Sequence, residues 1–353
     1  MSFPRLHRHT SAALVAGAAV AMLMGCSSEV VEVSPALTGD RLAFRTVPAQ
    51  VVSGAAIDPA VQVVILRQDG GIDASSTASV TLTAQSAVSD ALRGTTTVTA
   101  LAGIATFPGV TLTRASSATK LFARANGLTG AESAPLTVVH GAPAQLVFLT
   151  QPTAATAGQT LSALRIELRD GGGNRVLSAN GAITVAIATG PPGASITGTA
   201  TVDLASGEAV LTDLRLPRAG NGYSLTASLV GNADVRASVT RVFAITPALP
   251  AELAFLVEPT PSIADAPIAP SIRVAIVDRF GNVVPTATNT VALDLAVAPV
   301  GTQLRGTTTV APSEGVALFA DVRVDRATTG ARLRATAAGL VPSISAIFPV
   351  GAP

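Results

Sequence analysis

The 353-residue sequence predicts an all-β protein of three tandem β-sandwiches. Three observations carry that reading: a long internal repeat, apolar residues alternating with polar ones, and turn signals at short intervals. Gly94 to Phe107 reads GTTTVTALAGIATF, Gly198 to Leu211 reads GTATVDLASGEAVL and Gly306 to Phe319 reads GTTTVAPSEGVALF, one frame at spacings of 104 and 108 residues. Leu42-Ala43-Phe44, Leu146-Val147-Phe148 and Leu253-Ala254-Phe255 open the three copies at nearly the same period. Solenoid units run to roughly 20–50 residues, so these longer copies are domains able to bury their own cores. The expected boundaries are 39–140, 141–247 and 248–353.

Before the copies, residues 1–25 read as a secretory signal peptide. Arg5, His7, Arg8 and His9 precede an apolar or small-residue run from Ser11 to Met24, too short to span a bilayer. Its end, Leu23-Met24-Gly25-Cys26, resembles the bacterial lipoprotein signal. The resemblance implies cleavage before Cys26 and acylation of that residue; the alternative is ordinary secretion with cleavage nearby. Cys26 is the only cysteine in the chain, so it has no disulfide partner. Two or more acyl chains make membrane residence long-lived, since each buried methylene adds about 0.8 kcal/mol. The following Ser27 implies, in that family, passage to the outer membrane, and residues 26–38, with Pro35, read as a tether.

The strand pattern is clearest in the third copy. Ile272, Val274 and Ile276 alternate with Arg273, Ala275 and Val277, which predicts one face in the core and one toward water. Strands are expected at 252–257, 271–278, 290–298, 307–310, 316–324, 332–337 and 343–348, separated by turns such as Arg279-Phe280-Gly281-Asn282 and Pro312-Ser313-Glu314-Gly315. Seven short strands in about a hundred residues is the pattern of an immunoglobulin-like Greek-key sandwich. In the second copy Leu164, Ile166 and Leu168 face one way, and Arg165, Glu167 and Arg169 the other. The GTTTV frame reads as a hairpin built three times, with threonines on its exposed face.

These residues resemble the bacterial immunoglobulin-like domains of the intimin and invasin type. The resemblance rests on the opening Leu-x-Phe, Gln151-Pro152 with Ala157-Gly158, the turn from Asp278 to Asn282, the GTTTV and Gly-Val-Ala-x-Phe frames and the closing Ala338-Gly339-Leu340. It covers residues 39–350 and implies fold and tandem surface display. Intimin-like proteins also carry a membrane barrel and a lectin-like tip, whose motifs have no counterpart here, so the resemblance transfers no binding residue.

Composition excludes several functions. Without Arg5 and Arg8 there are 21 basic residues against 22 acidic ones, and Lys120 is the sole lysine. Nucleic-acid binding needs clustered cations, so no such partner is expected. Of three histidines only His140 lies beyond the signal peptide, at the junction of copies one and two, and it reads as a linker residue. No nucleophile or zinc motif accompanies it, so no enzyme and no cofactor are expected. Asp69, Asp170 and Asp278, each followed by Asp73, Asn174 or Asn282, place oxygen ligands in a recurring turn. Asp170 and Asp278 are therefore weak calcium candidates, although Asp and Asn before glycine are also ordinary turn formers. With no tryptophan and one tyrosine, Tyr223, there is no aromatic platform for sugar stacking; Tyr223 reads as a packed residue whose hydroxyl finds a backbone partner. The expectation is a non-catalytic stalk held to the membrane by its lipid. The alternative is a third domain that presents a binding face to a cell-surface glycan or protein.

Overall fold

The computed structural model describes residues 40–85 and 92–353, and among them every regular element is a strand. The signal peptide, Cys26 and the tether of residues 26–38 lie outside the described residues. In the first copy a three-stranded sheet runs in the order Arg41–Thr46, Val61–Leu66, Ile104–Phe107. A larger sheet faces it in the order Gln50–Val52, Leu136–Val139, Ser116–Ala125, Ser79–Gln85, Thr97–Thr99, with Ala131–Glu132 added to Ser116–Ala125. All pairs are antiparallel except that of Gln50–Val52 with Leu136–Val139. The opening segment thus pairs first in one sheet and then in the other, so the chain crosses between layers and closes an immunoglobulin-like sandwich.

The same order recurs twice. The small sheets are Pro143–Phe148, Leu164–Asp170, Glu208–Leu211 and Glu252–Val257, Ile272–Val277, Val316–Phe319. Three separate clusters of buried apolar residues fill the three sandwiches. Alternation explains the second: Leu164, Ile166 and Leu168 are fully buried, while Arg165 is exposed and Glu167 half-buried. Phe148 is buried, and Phe44 and Phe255 pack partly buried against their own cores.

Details of the third copy depart from the sequence expectations. The expected strand 316–324 is two, Val316–Phe319 and Arg323–Val324. Between them Asp321 turns its carboxylate onto Thr307, accepting from its N–H at 2.9 Å and its hydroxyl at 3.0 Å. The expected strand 343–348 also divides, into Ser343–Ile344 and Phe348–Gly351. There the buried Ser345 hydroxyl accepts from Leu333 N–H at 2.9 Å and donates to Ala346 O at 2.8 Å, replacing a ladder bond. Ser133 and Thr240 hydroxyls likewise accept in the other copies, at 2.9 Å from Leu121 N and Leu225 N. In the third copy Ala275 and Val277 are also buried rather than wet, and Ala251 of the linker donates to Val277 O at 2.9 Å.

The repeated frame is a corner, not a hairpin within one sheet. Thr97–Thr99 pairs with Ser79–Gln85 in the large sheet, whereas Ile104–Phe107 pairs with Val61–Leu66 in the small one. Between them Ala102 and Gly103, with φ of 50° and 76°, make a two-residue turn, as do Ser206 with Gly207 and Glu314 with Gly315. A Cβ on Gly207 would sit 2.4 Å from Val176 O, so only glycine permits this approach. The first glycine of the frame is equally confined: a Cβ on Gly198 would lie 2.3 Å from Asp213 O. The frame recurs because both glycines hold backbone against backbone. Its threonines do face water, and Thr81–Thr97 and Thr184–Thr201 hydroxyls pair across strands at 3.0 and 2.9 Å.

Candidate functional site

The residues with the densest polar contacts lie where one sandwich meets the next. In the hairpin after Leu164–Asp170, Asp170 and Asn174 flank three glycines, Gly171 to Gly173. Asp170 Oδ1 accepts from the N–H of Gly172 at 2.9 Å and of Asn174 at 2.8 Å, while Oδ2 accepts from Gly141 N–H of the linker at 2.7 Å. The Asn174 amide reaches the first sandwich: Nδ2 lies 2.8 Å from both Thr113 O and Ser53 Oγ, and Oδ1 accepts from Ala115 N–H at 2.9 Å. A side-chain amide here serves as a strand neighbour would, engaging the C=O of one residue and the N–H two positions on.

The next joint repeats the arrangement. Asp278 accepts from Phe280 N–H at 2.9 Å, Asn282 N–H at 3.0 Å and linker Ala248 N–H at 2.8 Å. Asn282 Nδ2 donates to Pro217 O at 2.8 Å, and Oδ1 accepts from Ala219 N–H at 2.8 Å. Tyr223 supports this socket, because its hydroxyl donates to Arg218 O at 2.7 Å, between the two residues that Asn282 engages. The expected backbone partner of Tyr223 is thus Arg218, in the arrangement known as a tyrosine corner.

Asp170 and Asp278 are buried, at 1 % and 0 % exposure. Burial, the largest influence on each, resists ionisation; the hydrogen bonds from Asn174, Gly141 and Ser53, or from Asn282, Ala248 and Phe280, together outweigh it and hold both carboxyls below the ordinary value. Their oxygens are spent on N–H donors, and each has a neutral amide as its side-chain neighbour. A calcium shell wants six or more oxygens. Among the described residues no three His, Cys, Asp or Glu side chains gather in that way.

The third aspartate of the expected series is not equivalent. Matching bridges, Leu66↔Ile72, Arg169↔Arg175 and Val277↔Val283, align Arg67 with Asp170 and Asp278, and Gly71 with Asn174 and Asn282. Asp69 instead sits at the exposed hairpin tip, accepting from Gly71 N–H at 2.8 Å. The Asp-x-x-x-Asn pair therefore occurs in the two copies that dock on a preceding sandwich, and the first copy carries Arg67 and Gly71 there.

His140 lies in the first joint. Its Nδ1 is 3.0 Å from Gly141 O, and Nε2 is 3.0 Å from Ser178 Oγ. With the Nδ1–H committed to a backbone carbonyl, Nε2 accepts from Ser178, which ties the linker to the second sandwich. Among the described residues no carboxylate bonds to the ring, whose Nδ1 is taken up by the Gly141 carbonyl instead.

No family model and no curated protein matches the chain. Solved structures to which it is similar include the Escherichia coli adhesin FdeC, at 13% identity over 88% of this chain and 96% of that one, with a TM-score of 0.33. Domains 4–9 of the surface layer protein SbsC give 14%, 90% and 48%, with a TM-score of 0.24. The FN1–FN3 domains of chicken CNTN1 give 12%, 88% and 97%, with a TM-score of 0.31. At these values the likenesses carry no argument about function. The three copies are immunoglobulin-like sandwiches on the strength of their own strand order and pairing.

Proposed function

We propose that this is a non-catalytic, lipid-anchored surface protein of the intimin and invasin type, whose three sandwiches serve as a stalk with a structural or adhesive role. The observation that carries the reading is the pair of joints. Two buried carboxyls, each paired with a side-chain amide, are given over to holding neighbouring sandwiches, and the chain's one histidine beyond the signal segment is bound up in a linker. A chain built this way transmits position. The anchor in this reading is acylated Cys26 in the outer membrane. Its test is Cys26→Ala: the account expects release from the membrane fraction and loss of acyl mass, and a variant that stays bound with unchanged mass would overturn the anchor.

A second reading has its own observation. Val341, Ile344 and Ile347 of the third copy are 60%, 54% and 61% exposed. The matching positions are Arg236, Val239 and Val242 in the second copy and Thr129, Glu132 and Pro135 in the first. An apolar patch that grows along the array favours a protein-binding third sandwich. Cell-surface protein and glycan arrays probed with the chain from Ser27 onward, beside its Ile344→Glu/Ile347→Glu variant, test it. Binding lost in the variant supports this reading, and equal binding rejects it.

A further inference from the structure

The two joints share the Asp–Asn latch but differ in what packs around it. In the second joint the hairpin residue Phe280 crosses to the preceding sandwich and packs against its core. The ring lies on Gly158, which has a φ of 72° and where a Cβ would be 2.0 Å from Phe280 Cζ, so the glycine is a seat shaped for the ring. Arg279 covers the ring, its Cζ 4.6 Å from the centroid. The linker leading to this joint carries Pro247 and Pro250, which narrow its backbone freedom.

In the first joint the position of Phe280 is taken by Gly172, in the run Gly171-Gly172-Gly173, and the linker is His140-Gly141-Ala142-Pro143, in which Pro143 matches Pro250 and His140 stands in place of Pro247. The three glycines between Asp170 and Asn174 offer no counterpart of the Phe280 ring. The contacts across it are polar: Asn174 with Ser53, Thr113 and Ala115, and Arg114 with Gly172 O at 3.5 Å. Hollows border both joints: two of about 460 Å³ at the first, one lined by Val139, Leu177 and Ser178 and the other by Pro143, Ala179 and Asn232, and a smaller one of about 320 Å³ at the second, lined by Gln159, Leu249 and Arg279. Polar contacts at an open boundary exchange for water at little net loss, whereas drawing a phenylalanine ring from apolar surroundings does not.

We infer that the array is jointed unequally: the second and third sandwiches move as one body stapled by Phe280 on Gly158, and the first sandwich swivels on its latch. Partial burial of one aromatic ring biases an open–closed equilibrium on the order of tenfold. The inference concerns the joints alone and stands whether or not the chain is anchored.

Double electron–electron resonance on the chain from Ser27 onward, which lacks the sole cysteine, reads each joint separately. Spin labels at Arg124→Cys with Ser228→Cys span the first joint, and labels at Ser228→Cys with Arg332→Cys span the second. The expected result is a broad distance distribution across the first joint and a narrow one across the second. Phe280→Ala should broaden the second to match the first, and Asn174→Ala should further broaden only the first. Equal widths in the unmodified array overturn the inference, as does a second joint that stays narrow in Phe280→Ala. Circular dichroism and an unchanged first-joint distribution in Phe280→Ala separate a freed joint from a misfolded chain.

Discussion

Asn282→Asp separates a hydrogen-bonded latch from a cation site, because it keeps the shape of the side chain and exchanges its two donors for an acceptor. In the native joint Nδ2 points at Pro217 O at 2.8 Å and at the Asp278 oxygens at 2.9 and 3.2 Å. The variant sets oxygen against oxygen at each contact and places two carboxyls side by side. Leaving a buried acceptor without its donor costs about 1–3 kcal/mol, so the variant should lose about 3 kcal/mol at neutral pH. At roughly 2–4 °C per kcal/mol for a domain pair of this size, the transition of the second and third sandwiches should fall by about 6–12 °C in a calorimetric scan. One of the paired carboxyls has its pKa raised by the other's charge. A raised pKa gives stability at low pH that is lost on titrating upward, so the deficit against the native chain should shrink below about pH 5 as a proton restores a donor. Were the site meant for calcium, the added carboxylate would improve it. An unchanged transition, or one that calcium raises above that of the native chain, would refute the latch.

Other perturbations have defined directions. Tyr223→Phe removes the hydroxyl that holds Arg218 O and should cost about 1 kcal/mol in urea unfolding, with the second joint loosening; no change would mean that the corner does not brace the socket. Gly207→Ala should cost about 3 kcal/mol or more, from its φ of 74° and the approach to Val176 O, while neighbouring Ser206→Gly, at φ 49°, should be neutral or stabilising by up to about 1 kcal/mol. A like response of the two would refute the turn geometry. Asp170 and Asp278 have lowered pKa values, so their stabilisation is present above the ordinary aspartate value of 3.8 and is lost as pH falls through their folded values. Resonance widths across both joints should therefore broaden only in acid, once the pH is below that ordinary value, and stay constant from about pH 5 to 8; broadening that begins near neutrality would contradict the assignment.

Much of the fold was legible because period-two alternation is a local property. Leu164, Ile166 and Leu168 announce their buried face without reference to any other part of the chain. The frame announced its own recurrence, but not that its two strands belong to different sheets, since a two-residue turn fits a hairpin or a corner equally well. The joints were half legible. Asp170 and Asp278 stood out as recurring turn residues, yet their partners Gly141 and Ala248 are 29 and 30 residues away, and Thr113 lies 61 residues from Asn174. Asp69 joins the series only by counting along the sequence, which cannot set hairpin register; the bridge from Leu66 to Ile72 does. A signal was present in the Asp-x-x-x-Asn spacing, which copies two and three share and copy one lacks. Phe280 gave none, since an aromatic residue at a turn does not say which sandwich it enters.

Residue-resolved hydrogen exchange in EDTA tests the latch most directly, through four backbone amides that bond to side chains across or beside the joints. Ala115 and Ala219 N–H donate to Asn174 and Asn282 at 2.9 and 2.8 Å, and Gly141 and Ala248 N–H donate to Asp170 and Asp278 at 2.7 and 2.8 Å. All four should exchange far more slowly than a fully exposed loop amide such as that of Val300, with Ala219 and Ala248 slower than Ala115 and Gly141. Exchange of all four at the rate of Val300, or protection that appears only when calcium is added, would contradict the account.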